Sequence, residues 1–287
     1  MSRIVIQGRW LTPALVQDIA RLAGAARIVQ RGADSVTRTW WCEDLPAPPS
    51  HAARTRMRAV AGAAQADVNF IDHPQPLSHF RLAVFDMDST LITIECIDEI
   101  ADMLGIKPQV AAITEAAMRG ETAYPESLRQ RVALLKGLDV SALERVYTER
   151  LRLSPGAEPL LAAFQAAGLK ILLVSGGFTF FTDKLKARLG LDFTHSNTLG
   201  IDGGKLNGTV TGHIVDAGEK ARMLIETCHT IGCTPAQTIA FGDGANDLKM
   251  MAVAGLSVAY RAKPVVRAQA MTALNHNGLD AALQFFD

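Results

Sequence analysis

Asp86 and Asp88 stand two residues apart, directly after the apolar run Leu82-Ala83-Val84-Phe85 and directly before Ser89 and Thr90. A continuous rather than alternating apolar run reads as a short strand buried on both faces. Such a strand has no packing reason to end in two acids. Like charges this close raise the pKa of one group or require a cation. In an open parallel sheet, ligands sit just beyond the carboxyl ends of the strands, so the pair falls where chemistry is done. The same residues also suit a capping turn, since Asp, Ser and Thr are all good N-caps.

Two further apolar runs end in polar residues. Leu172-Leu173-Val174 leads into Ser175-Gly176-Gly177, and Ile239-Ala240-Phe241 into Gly242-Asp243-Gly244-Ala245-Asn246-Asp247, while Lys220 opens the helix between them. Singly, each has a plain structural reading: a turn into a helix, an Asp-Gly turn, a solvated lysine. Together, at matching strand ends, they describe one site that gathers Asp86, Ser175, Lys220 and Asp243.

The elements that must position these residues follow an orderly pattern. Spacing predicts strands over 3–7, 27–30, 36–41 and 68–71, with helices over about 12–24 and 50–64, the second capped by Ser50. That βαββαβ order is the ferredoxin-like arrangement. The proline-rich 73–76 reads as a linker. After the strand at 82–85 the pattern turns helical, with helices over 96–104, 109–118, 126–136 and 141–151. This block breaks the alternation and belongs outside the sheet as a cap, inserted at about 93–154. Beyond Ser154-Pro155-Gly156, helices (158–167, 179–189, 219–230, 246–252 and one after Pro264) alternate with strands (170–174, 238–241, 256–259), and a Gly-rich hairpin is expected over 199–212. Strands separated by helices predict an α/β class, a doubly wound parallel sheet. The domains are therefore 1–76 and 77–287.

Composition removes several function classes. Among 287 residues, Lys+Arg and Asp+Glu are both 29, so no global basic field attracts nucleic acid. No run of about 18 apolar residues suits a membrane span, and the N-terminal apolar run is too short for a signal peptide, which predicts a cytoplasmic protein. Cys42, Cys96, Cys228 and Cys233 form no CxxC pair and read as free, mostly buried thiols. Cys228-His229 with Cys233 lacks the further ligands that zinc needs. Residues 1–72 carry nine Arg against six Asp and Glu, which would suit an anionic partner or simply form a solvated face.

The four stretches Asp86-Met87-Asp88-Ser89-Thr90, Ser175-Gly176-Gly177, Lys220 and Gly242-Asp243-Gly244-Ala245-Asn246-Asp247 resemble the motifs of the haloacid dehalogenase superfamily over roughly residues 80–285. Residues 95–101 and 127–132 resemble the cap of members that hydrolyse O-phospho-L-serine, and the first domain resembles small ACT-type domains that often bind amino acids. The resemblance implies a nucleophilic Asp86 that becomes an aspartyl-phosphate and an Asp88 that moves the proton. Ser175, Gly176 and Lys220 would hold phosphoryl oxygens. Two unit negative charges 4 Å apart cost about 4 kcal/mol at an effective dielectric of 20. Attack of a carboxylate on a phosphate dianion therefore needs a cation, and clustered carboxylates without Cys or His suit Mg²⁺. Asp86, the backbone carbonyl of Asp88 and Asp243 would ligate it, with Asp247 orienting that set from behind.

Specificity is expected from the cap. Glu95 would pair with a substrate ammonium and Arg131 with its carboxylate, Met118 and Tyr124 would line the apolar side, and Asn246 would touch substrate. Tyr124 departs mildly from members that carry Phe there. Glu95 and Arg131 also suit ordinary exposed helix positions. The alternatives are the same chemistry on phosphohomoserine, phosphothreonine or a sugar phosphate, or an amino-acid sensor with a vestigial core. A homodimer and an amino-acid effector at the first domain complete the expectations.

Overall fold

The computed structural model describes residues 2–31, 37–119 and 121–286, apart from the side chain of Met118. The first sheet joins β1 (Arg3–Gly8), β2 (Arg27–Arg31), β3 (Arg38–Glu43) and β4 (Asp67–Ile71) in the order β2-β3-β1-β4, with antiparallel neighbours. Helices α1 (Pro13–Ala23) and α2 (His51–Ala63) cover one face. Thr12 and Ser50 cap them through Leu15 N and Ala53 N. The expected βαββαβ order is present. The strand expected at 36–41 occupies 38–43 instead, and its first residue, like the turn expected at Gly32-Ala33-Asp34, lies outside the described residues.

The second sheet has seven strands in the order β11-β10-β9-β5-β6-β7-β8. In chain order they are β5 (Leu82–Phe85), β6 (Lys170–Phe178), β7 (Phe193–Asp202), β8 (Lys205–Thr211), β9 (Thr238–Gly242), β10 (Leu256–Tyr260) and β11 (Thr272–Leu274). All pairings are parallel except the β7–β8 hairpin. Strand β5 sits between β9 and β6, and its four residues are fully buried. That central place explains the unbroken apolar run. Phe85 stacks on Phe241 of β9 with ring centroids 4.4 Å apart, giving the strand ends a stiff floor.

Between β5 and β6 the chain leaves the sheet for α3 (Cys96–Met103), α4 (Lys107–Met118), α5 (Tyr124–Ala133) and α6 (Ser141–Arg145), then returns through α7 (Ala157–Ala166). The last cap helix, expected to run to 151, widens to a π-helical turn at Val146–Arg150 because Leu151 N donates to the Val146 carbonyl. The exit and return strands touch at a bridge between Ile92 and Leu153. Helices α8 (Thr179–Leu189), α9 (Ala217–Ile231), α10 (Leu248–Val253) and α11 (Pro264–Gln269) complete the core. Strand β7 begins well before the expected hairpin, and β11 was not expected. The first half of β7, Phe193-Thr194-His195-Ser196, has no clean apolar period, and pairing with β6 imposes the extended form.

The two sheets meet through polar side chains that imitate backbone. Asn69 of β4 donates to the Ala273 carbonyl (3.0 Å) and accepts from Ala273 N (2.7 Å). Buried Asp67 accepts from the amides of Asn275 (2.9 Å), His276 (3.2 Å) and Asn277 (3.2 Å), and from Asn277 Nδ2 (2.7 Å). Val5, Trp41 and Ile71 join the main core across this contact, whereas Ile4 and Ile6 face α1 and α2. No helix among the described residues is long and apolar enough to cross a membrane. Asp67→Ala would leave buried donors unmatched, and urea denaturation should show a loss of about 2–4 kcal/mol.

Candidate active site

Asp86, Ser175, Lys220, Asp243 and Asp247 are delivered by strand ends or a helix start at one edge of the sheet. The Asp86 amide extends the β5–β9 ladder by donating to the Phe241 carbonyl at 3.0 Å. Asp86 Oδ1 accepts from Met87 N at 2.8 Å. Asp216 caps α9 by accepting from Glu219 N, which sets Lys220 in the first turn. From there the Lys220 ammonium reaches Asp86 Oδ1 at 2.6 Å and Asp247 Oδ1 at 2.8 Å. The other Asp247 oxygen accepts from the amides of Asp243 (3.1 Å) and Gly244 (3.0 Å). Both Asp247 oxygens are thus occupied by protein. Among the described residues, Asp86 keeps one carboxylate oxygen without a hydrogen bond, and the Asp243 carboxylate accepts only from Thr90 Oγ1, at 3.1 Å.

Carboxylate oxygens of Asp86, Asp243 and Asp247 lie within 4.8 Å of one another. One ammonium faces three acids, so negative charge is left over. The residues fit a hard divalent cation, since the donors are oxygens and no Cys or His takes part. Burial, then the Asp247 charge, lifts the Asp86 carboxyl well above the usual range, while Lys220 pulls it down. Burial, with Asp247 and Glu95, lifts Asp243 to about 6. Burial opposes the charge on Lys220, but Asp247 and Asp86 outweigh it and hold the ammonium protonated.

Asp88 stands apart from that cluster. Its Oδ1 accepts from Cys96 N at 3.1 Å, at the start of α3. A helix N-terminus favours the ionised form. Burial and then the Glu95 charge prevail and push this carboxyl up to about 7. A group that holds its proton near neutrality suits proton transfer in both directions. Between the two acids and α3, Ser89 adopts φ +58° and donates to Glu95 Oε1 at 2.7 Å. A non-glycine residue in that region is a strained turn of the kind that gathers at active sites.

Ser175 Oγ accepts from Gly177 N at 2.9 Å, and the Gly176 carbonyl accepts from Asn197 Nδ2 at 2.7 Å and Tyr124 OH at 3.4 Å. A Cβ on Gly177 would lie 2.8 Å from Asp88 Oδ2, and one on Gly176 would lie 2.2 Å from the Tyr124 hydroxyl. The loop therefore needs both glycines for close approach.

Above this edge is a cavity of about 500 Å³ bordered by Asp86, Asp88, Glu95, Tyr124, Arg131, Ser175, Gly176, Asp243 and Asn246, all singled out from sequence. Lys220 and Asp247 are not among its lining residues, and the Lys220 ammonium lies against Asp86, which is. Arg131 is buried rather than an exposed helix charge, whereas Glu95 is exposed at the rim. The Met118 side chain lies outside the described residues. Sequence reasoning missed Ser127, Phe178 and Lys263, which also border the cavity. Phe178 follows the Ser175-Gly176-Gly177 stretch, and Lys263 follows β10, so the strand-end rule would have found both.

A family model for haloacid dehalogenase-like hydrolases matches residues 80–255. The chain belongs to that family. It is 60% identical over 222 residues to a phosphoserine phosphatase of Polaromonas sp. strain JS666, covering 76% of this chain and 94% of that protein. It superposes on a probable phosphoserine phosphatase from Vibrio cholerae with a TM-score of 0.82 and 38% identity, covering 99% of this chain and 86% of that one. It also superposes on a phospho-aspartyl intermediate analogue of phosphoserine phosphatase with a TM-score of 0.68 and 36% identity, covering 72% of this chain and 99% of that one. Phosphatases of this family use a divalent metal ion, and the acidic cluster offers it a site.

In metal-free protein, Asp243 at about 6 and Asp88 at about 7 lie above the value of about 4 for an unfolded carboxyl. Their ionisation then costs stability above those values, and the cost is relieved as pH falls through them. The melting temperature contributed by this site should rise between about pH 8 and pH 5. Added Mg²⁺ should raise it by at least about 3 °C at pH 8 and clearly less at pH 5, because protonated carboxyls bind metal poorly. Calorimetry with and without Mg²⁺ tests this, and an equal shift at both pH values would contradict it.

Proposed function

We propose that this chain hydrolyses O-phospho-L-serine to L-serine and phosphate, the last step of serine biosynthesis, with Mg²⁺ held by Asp86, the Asp88 carbonyl and Asp243. The observation that carries the chemistry is the buried Lys220 ammonium shared by Asp86 and Asp247, with Asp88, pushed up to about 7, bordering the same cavity as Asp86. When bound, the ion supplies positive charge against which a carboxylate and a phosphate dianion can approach.

Asp86 attacks phosphorus through a carboxylate oxygen, and the bond from phosphorus to the serine oxygen breaks. Asp88 gives its proton to that leaving oxygen. Having lost it, Asp88 takes a proton from water, which attacks the aspartyl-phosphate, releases phosphate and restores Asp86. Ser175, the Gly176 amide and Lys220 hold the phosphoryl oxygens and offset charge that develops on them. Asp247 fixes Lys220 and the Asp243 loop. In the cap, Glu95 takes the ammonium and Arg131 the carboxylate, with Tyr124 and Asn246 shaping the rest of the pocket.

The same reading assigns residues 1–76 to an ACT-like domain and 77–287 to the phosphatase core, with the cap at about 93–154. Two separate sheets and the Ile92–Leu153 bridge support the division. A cytoplasmic location, a homodimer and an amino-acid effector at the first domain belong to it as well, supported by the family and by that domain's resemblance. Phosphohomoserine, phosphothreonine and sugar phosphates are the competing substrates. A sugar phosphate offers no charge to Glu95 or Arg131.

Asp86→Asn should abolish turnover, by at least about 1,000-fold, with the melting temperature preserved. Activity close to the parent's would remove Asp86 as nucleophile. Arg131→Ala should raise KM for phosphoserine by about 10- to 100-fold, far more than for glycerol phosphate. A parent enzyme that turns over phosphoserine no faster than glycerol or sugar phosphates would refute the substrate.

A further inference from the structure

Ser127 is a fully buried hydroxyl on α5 whose Oγ has no hydrogen-bond partner, and it borders the active-site cavity. Hydroxyls in helices normally bond back to the carbonyl one turn earlier. Thr114 does so to Val110, Thr148 to Glu144 and Thr227 to Met223, at 3.1, 2.9 and 2.7 Å. Ser127 does not, although the Ala123 carbonyl is at hand and receives its own amide at 3.0 Å. A buried donor left unmatched is uncommon and calls for a partner from elsewhere.

Arg131 lies one turn along the same helix face. Its Nε donates to the Ser127 carbonyl at 3.3 Å, which draws the guanidinium back alongside residue 127. Arg131 is 9% exposed and makes no ion pair among the described residues. The Asp98 carboxylate acts on it from beyond ion-pair distance, and a buried guanidinium with no carboxylate in direct contact is set up for an anion brought by a ligand. The phosphoryl cradle lies elsewhere, on the strand ends, so this anion is a second one.

Resting on the phosphoserine reading above, we infer that Ser127 and Arg131 together form the clamp for the substrate's carboxylate, with Ser127 Oγ donating to the oxygen that the guanidinium leaves free. Ser127 is a specificity residue, since it takes no part in moving the phosphoryl group. Its low exposure is no obstacle, because Ser175 at 1% and Asp86 at 5% border the same cavity. Glu95 stands on the other side of the charge pattern, paired with Ser89, and is left for the ammonium.

The test compares phosphoserine with phosphoethanolamine, which keeps the phosphate and ammonium but lacks the carboxylate. Ser127→Ala should raise KM for phosphoserine by about tenfold with kcat within about twofold, the mark of a lost hydrogen bond to a charged group. Inhibition by L-serine should weaken by a similar factor. KM for phosphoethanolamine should change by less than about twofold. In the Arg131→Ala background the Ser127→Ala effect on phosphoserine should largely vanish, since the two act on one group. The melting temperature of Ser127→Ala should equal or exceed the parent's, because an unmatched buried hydroxyl is removed. Equal effects on both esters, no effect on either, or a clear drop in melting temperature would overturn the clamp. If the parent itself showed no preference for phosphoserine over phosphoethanolamine, the substrate reading would fail instead, before any variant is compared.

Discussion

The site depends on a single ammonium, that of Lys220, held between Asp86 and Asp247 with 1% of the residue exposed. A charge buried this deeply is costly unless it is paired and hydrogen-bonded. Meeting that condition draws the first turn of α9, the end of β5 and the loop after β9 to one point. The pairing is deliberately incomplete. Three acids face one ammonium, and the residual negative charge suits a divalent cation. Charge that would destabilise an empty site thus becomes affinity when the site is filled.

The core and the cap contribute different parts of the site. Asp86 and the Ser175-Gly176-Gly177 stretch stand at parallel strands buried on both faces, and Lys220 stands in the first turn of α9, where packing fixes them closely. Glu95, Ser127 and Arg131 stand in the cap, which leaves and re-enters the core beside the Ile92–Leu153 bridge. The cap is also bonded to the edge hairpin, with Gly137 N donating to the Leu206 carbonyl (2.8 Å), Leu206 N to the Leu138 carbonyl (2.8 Å) and Val140 N to the Gly204 carbonyl (3.0 Å). Those bonds seat the cap on the β7–β8 hairpin at the sheet's edge, away from the central strands β5, β6 and β9. Tyr124 spans the division, its hydroxyl 3.4 Å from the Gly176 carbonyl.

The first domain is fastened by polar groups rather than by an apolar seam alone. Its strand Asp67–Ile71 alternates polar and apolar residues, which in isolation describes a half-exposed strand. In the fold all five residues are buried, because Asp67 and Asn69 meet the backbone of residues 273–277. Buried polar groups of this kind are directional, so they fix the orientation of one sheet against the other as apolar contact alone would not.

Much of this was legible in the chain. Unbroken apolar runs ending in Asp, Ser and Asp announced buried parallel strands with chemistry at one edge, because only burial on both faces tolerates such runs. The βαββαβ order, the helical insertion and the motif residues followed from local period and turn chemistry, which are properties of neighbouring residues. Other features arose only from contacts distant in sequence. Lys220 reads as a surface residue until α9 is packed against Asp86 and Asp247. The value of about 7 for Asp88 comes from burial and from Glu95, and the strand at 193–198 from pairing with β6. Nothing in the local sequence singles out Ser127; only the folded cap shows it buried, unmatched and one turn from Arg131. Sequence therefore determined which groups do the chemistry, and tertiary structure decided their charge states and partners, since desolvation and proximity exist only once the chain is packed.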